Sequence, residues 1–92
     1  MEEFRNLKDL TYKRFLLYFY TDSCAKCKLL EKDLTELASQ IKIIKVNASK
    51  NHDVCKKYGI MSVPSFIYFN DNKYDIKQGI INKNEILKWI GC

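Results

Sequence analysis

The chain has 92 residues, 47% of them hydrophobic and 29% charged, and its 16 lysines and arginines outnumber 11 acidic residues to give a net charge of +5. That length is one small domain, residues 1–92, with the composition of an ordinary soluble globular protein. Three glycines and one proline exclude long disordered linkers, no run approaches the roughly 20 apolar residues that cross a bilayer, and the opening MEEFRNLKDL is charged where a secretory signal is apolar.

A cytoplasmic location follows as an expectation. The lysines are scattered as single residues and pairs, not gathered in a dense block, which fits a solvated surface better than a nucleic-acid footprint. Phe4, Leu7, Leu10 and Tyr12 recur at helical spacing and predict a short amphipathic helix over residues 2–12. Phe15 to Tyr20 is apolar throughout and suits a strand buried on both faces. Asp22 or Ser23 is placed to cap the next helix, which runs from Cys24 to about Ser39 with Cys27, Leu30, Leu34, Leu37 and Ala38 along one side. Ile41 to Val46 is the second strand. Asn51 to Tyr58 is a short helix that Gly59 ends. Ser65 to Phe69 is the third strand, Asn70-Asp71-Asn72 a turn, and Lys73 to Lys77 the returning fourth strand. Asn82 or Asn84 opens a last helix with Ile86, Leu87, Trp89 and Ile90 apolar. The order αβαβαββα predicts an α/β fold: a central four-stranded mixed sheet flanked by helices, with a right-handed βαβ crossover and an antiparallel hairpin.

Four cysteines, Cys24, Cys27, Cys55 and Cys92, lie in this frame. In a reducing compartment a close pair is more often catalytic or metal-binding than a structural staple. A cysteine in the first turn of a helix faces free backbone N–H groups and the positive end of the helix dipole. Lys26 and Lys28 add charge nearby. Such surroundings lower a thiol pKa from about 8.5 into the range of roughly 3.5 to 7.5. Cys24 is then the attacking sulfur, and Cys27, one turn deeper, resolves the mixed disulfide. A rival reading groups Cys24, Cys27, His52 and Cys55 as ligands of a zinc-binding structural or nucleic-acid module. Otherwise Cys55 is a buried free thiol, His52 a surface residue and Cys92 a frayed end.

Strand, then S-C-A-K-C-K, then helix resembles the active site of the thioredoxin family. The phrase K-K-Y-G-I-M-S-V-P, residues 56–64, resembles that family's second signature, and Gly79 matches a family glycine; the likeness covers about residues 14–91. The resemblance implies a thioredoxin-like fold and a protein disulfide oxidoreductase that reduces protein disulfides through the Cys24-Ala25-Lys26-Cys27 dithiol. Its cofactor would be the redox-active Cys24–Cys27 disulfide alone, with no metal. Apart from the resemblance, the charge of Lys26 beside the pair would stabilise the thiolate. Pro64 would be cis and lie across from Cys24, and Ala25, Val63, Pro64 and Gly79 would form the client-binding surface. Implied partners are disulfide-containing client proteins and, as electron donor, a thioredoxin reductase or glutathione, with no nucleic acid, no membrane and a monomeric state. The chain departs from the family at Ser23, usually Trp, and at Ala25-Lys26, usually Gly-Pro. It has Tyr18 where the family often carries a buried Asp, six residues before the first cysteine, while Lys45 stands where a lysine often neighbours that Asp. A glutaredoxin-like, glutathione-dependent enzyme is the alternative, although no C-P-Y-C-like motif and no paired glycines after the hairpin favour it.

Overall fold

Along the described residues, 1–79 and 82–91, the computed structural model has five strands and three α-helices. In chain order these are β1 (Glu2–Glu3), a 3-10 turn (Leu7–Asp9), β2 (Arg14–Tyr20), α1 (Ala25–Leu37), β3 (Lys42–Asn47), α2 (His52–Tyr58), β4 (Ser65–Asn70), β5 (Lys73–Gln78) and α3 (Lys83–Ile90). Strand order in the sheet is β1-β3-β2-β4-β5. β1, β3 and β2 are parallel, and β2, β4 and β5 are antiparallel. Cys92 lies outside the described residues.

β2 sits in the middle, and its sequence says why. Successive side chains of a strand point to opposite faces, so an apolar run with no polar interruption needs cover on both. Phe15, Leu17 and Phe19 enter one core with Phe4, Ile44, Val46, Ile60 and Ile67, to which α2 adds Val54, Cys55 and Tyr58. Leu16 and Tyr18 enter the other with Ile43 and Phe66, under α1 and α3. α1 lays Cys27, Leu30, Leu34 and Leu37 on the sheet, the stripe that three-to-four residue spacing creates. α3 contributes Ile86 and Ile90. Gly59 ends α2 at φ +69, a left-handed conformation that costs glycine little.

The N-terminal expectation is corrected. Residues 2–12 are not a helix: Glu2 and Glu3 pair in parallel with Ile44 and Lys45, and the Phe4 N–H donates to the Lys45 carbonyl at 2.7 Å. The apolar spacing of Phe4, Leu7 and Leu10 serves packing against the α2-side core instead, through an extended segment and one 3-10 turn capped by Asn6. An isolated helix of that length is marginal in water, and a ready strand edge with unpaired backbone groups outcompetes it. The predicted four-stranded sheet therefore has a fifth strand. The start of α1 is also corrected. Neither Asp22 nor Ser23 caps it; Cys24 is the N-cap and the helix starts at Ala25. The other predicted elements stand within a residue or two of their expected bounds.

Leu34 is fully buried between α1 and the sheet. Leu34→Ala is expected to cost about 2–5 kcal/mol in urea unfolding with an unchanged m-value; a loss below about 1 kcal/mol would contradict this packing.

Candidate active site

β2 delivers the chain to the end of the sheet at Tyr20, and the Cys24 N–H closes the turn on the Thr21 carbonyl at 3.2 Å. Cys24 then caps α1 with its own side chain: Sγ accepts the Cys27 N–H at 3.1 Å. A sulfur in that position answers one of the orphan amides of the first helical turn and feels the positive end of the dipole. Cys24 and Cys27 are joined as a disulfide, with their Cα atoms 5.3 Å apart. Their surroundings differ. Cys24 is half-buried, whereas Cys27 is 2% exposed among the α1-side core residues. Ala25, Lys26 and Lys28 are exposed around them.

The second segment arrives through strand register. Phe19 pairs with Ser65, so the residues just before β4 stand at the same end of the sheet as the Thr21–Cys24 turn. The Val63–Pro64 peptide there is cis. The Gly79 N–H donates to the Pro64 carbonyl at 3.0 Å, tying the end of the hairpin to this loop, and Gly79 adopts φ +100. Val63, Met61 and Ser62 line a cleft of about 290 Å³ together with Thr21 on the cysteine-bearing loop. Met61 is 91% exposed. An apolar side chain so placed was not singled out from sequence; its one signal was its position three residues before Pro64.

Tyr18, six residues ahead of Cys24, is fully buried. Its ring stacks on Phe66 and Tyr20 at 5.3 and 5.8 Å, and its hydroxyl donates to the Cys27 carbonyl at 3.2 Å. Burial first, then the Glu31 and Tyr20 charges, hold its phenol well above the usual tyrosine range, so it stays protonated. Lys45 meets no carboxylate on β2. Its ammonium pairs with Glu31 on α1 at 2.8 Å and lies 4.6 Å from the centre of the Tyr20 ring. Glu31 is a residue that sequence reading passed over, although it stands four positions after Cys27 on the same helix face.

The zinc grouping is not assembled. Cys24 and Cys27 are bonded to each other, and His52 and Cys55 line the cleft beside Thr21 and Val63. Among the described residues no group of three or more His, Cys, Asp or Glu side chains could hold a metal ion. His52 is exposed. Cys55 is a free thiol, half-buried rather than buried, with its sulfur 3.9 Å from the Ala48 carbonyl. Burial pushes this thiol up. At neutral pH less of it is therefore thiolate, and after reduction iodoacetamide is expected to alkylate Cys24 at least about tenfold faster than Cys55; equal rates, read by peptide mass spectrometry, would contradict the two environments.

The thioredoxin family profile matches residues 2–91. A thioredoxin of Rickettsia bellii is 34% identical over 80 residues, covering 82% of this chain and 76% of the relative. One from Mycoplasmoides gallisepticum is 34% identical over 80 residues, with 83% and 80% covered. In three dimensions the chain is similar to oxidised mitochondrial thioredoxin 3 of Saccharomyces cerevisiae, with a TM-score of 0.82 at 21% identity over 99% of this chain and 93% of that one. A mutant thioredoxin from Halobacterium salinarum gives 0.79 at 26% identity, over 85% and 72%. With the half-buried and buried cysteines of one disulfide at the mouth of α1, the chain belongs to the thioredoxin family of thiol–disulfide oxidoreductases.

Proposed function

We propose that this chain reduces disulfides of client proteins in the cytoplasm, as one monomeric domain over residues 1–92. The observation that carries the reading is the asymmetry of the Cys24–Cys27 pair, one sulfur reachable at a helix N-terminus and one behind it in the core. In the reduced protein the Cys24 thiolate attacks a client disulfide. A Cys24–client bond forms, and the client's other sulfur leaves as a thiolate. Cys27, as thiolate, then attacks Cys24 Sγ. The Cys24–Cys27 bond forms, the second client sulfur departs, and two electrons have passed to the client, whose thiols take up two protons.

Lys26 supports the Cys24 thiolate as an exposed cation two residues along the chain, and Lys45 contributes from the Cys27 side, through Glu31. The client lies across Ala25, Val63, Pro64 and Gly79. An extended client segment would pair with the Val63 backbone, a strand-addition contact. The exposed Met61 side chain widens the apolar part of that surface. A thioredoxin reductase or glutathione returns the dithiol; the faster of the two donors in a coupled assay identifies it. No helix among the described residues is long and apolar enough to cross a membrane.

Catalytic amounts of the protein should accelerate insulin reduction by dithiothreitol. Cys24→Ser should fall to the uncatalysed rate, and Cys27→Ser should accumulate a mixed disulfide visible by intact mass. Wild-type protein without effect, or an active Cys24→Ser, would defeat the reading. Because the thiolate attacks, the rate of the first step should rise with pH through a Cys24 pKa below the free value of about 8.5 and then level off.

A further inference from the structure

Cys27 must lose a proton before it can close on Cys24, yet its side chain is 2% exposed and its immediate polar neighbours are spoken for. Its N–H points to Cys24 Sγ, and its carbonyl accepts the Tyr18 hydroxyl. Tyr18 gives its proton away from the sulfur and is held protonated by burial, so it is no acceptor. Among the described residues, an open cleft offers Cys27 a route to solvent. A cleft of about 240 Å³ has Cys27 in its wall together with Tyr20, Asp22, Lys28, Glu31 and Lys45. That volume holds several waters at about 30 Å³ each.

Each charged or titratable group facing this cleft has a distinguishable status. From β2, Tyr20 donates its phenol to the Glu3 carboxylate of β1 and has its own titration pushed up, first by burial. From the loop, Asp22 is exposed. From α1, Lys28 is an exposed cation. From β3, Lys45 is bonded to Glu31 at 2.8 Å. Glu31 alone combines a free-lone-pair carboxylate, an anchor that fixes it, and a position one helical turn beyond Cys27 on the same face. Its charge also reaches Tyr18, which hydrogen-bonds to Cys27.

Resting on the oxidoreductase reading above, we propose that Glu31, clamped by Lys45, receives the Cys27 thiol proton through water in this cleft. The S–H bond of Cys27 breaks, the proton passes along water to a Glu31 oxygen, and the Cys27 sulfur keeps the electron pair with which it attacks Cys24 Sγ. The departing client sulfur then takes a proton, from Glu31 or from solvent, and the carboxylate is restored. Lys45 acts here as a positioning residue, since it holds the carboxylate and touches no reacting atom.

The test separates the two steps in a Cys55→Ser, Cys92→Ser background. Reduced protein is mixed with the aromatic disulfide dithiobis-nitrobenzoate; attack by Cys24 releases a first coloured thiolate, and closure by Cys27 releases a second. Glu31→Gln is expected to slow the second release about a hundredfold near pH 6, the lower end of what a general base contributes, with the deficit shrinking as pH approaches about 9 and the thiol ionises unaided. Glu31→Asp, which keeps a carboxylate, should recover much of the rate. Asp22→Asn should leave the pH profile in place. An unchanged second-phase pH profile in Glu31→Gln, a Glu31→Asp variant as slow as Glu31→Gln, or a shift produced by Asp22→Asn instead would overturn the assignment. A wild-type protein that releases no second thiolate would overturn the oxidoreductase reading with it, so the two failures are told apart.

Discussion

One hydrogen bond ties the fold to its chemistry: the Cys27 amide donating to the sulfur of Cys24 at 3.1 Å. It ends the loop that leaves β2 and starts α1, a task usually left to an oxygen-bearing side chain. A sulfur in that role is held where the helix favours negative charge, and its partner residue is carried one turn inward, onto the face that packs against the sheet. Disulfide formation, helix initiation and thiolate stabilisation are then three aspects of one placement. The rest of the molecule keeps that placement steady. β2 is covered on both faces and is hydrogen-bonded to β3 and β4 on its two sides, so the end of the strand that presents the cysteines has little room to shift.

Much of this was legible before any coordinates. Residues 15–20 could only be a doubly covered strand, because six consecutive apolar side chains leave no face for water. Cys24 and Cys27 declared themselves by spacing and by the lysines around them. What stayed hidden depended on long-range pairing. The N-terminal residues have a helical apolar rhythm, and only the free edge of β3 converts Glu2–Glu3 into a strand. Cys24 as its own helix cap was unreadable because Asp22 and Ser23 are better cap formers by composition, and the turn closed by the Cys24 amide on Thr21 selects the residue that follows them.

Glu31 and Tyr18 illustrate a different blind spot. A tyrosine in a run of aromatic residues reads as core, and Tyr18 is core, but its hydroxyl is spent on the Cys27 carbonyl. A glutamate among Lys28, Lys32 and Asp33 reads as solvated helix surface. Pairing between β2 and β3 sets Lys45 directly beside Tyr18 in register, and the lysine reaches over to α1 and pairs with Glu31, which lines one cleft with Cys27. A polar environment near the inner sulfur is thus assembled from three separate elements. No local sequence window contains it.

The two outer strands of the sheet carry a consequence of their own. β1 is two residues long and both are glutamates, one paired with Lys42 at 3.1 Å and one accepting the Tyr20 hydroxyl. β5, at the opposite margin, exposes Lys73, Asp75 and Lys77. An unpaired strand edge is a template on which other chains can stack, and short length and charge are the usual defences. The short acidic β1 and the charged residues of β5 therefore make both margins of the sheet poor templates for copies of the same chain, which disfavours fibril growth in a crowded solution.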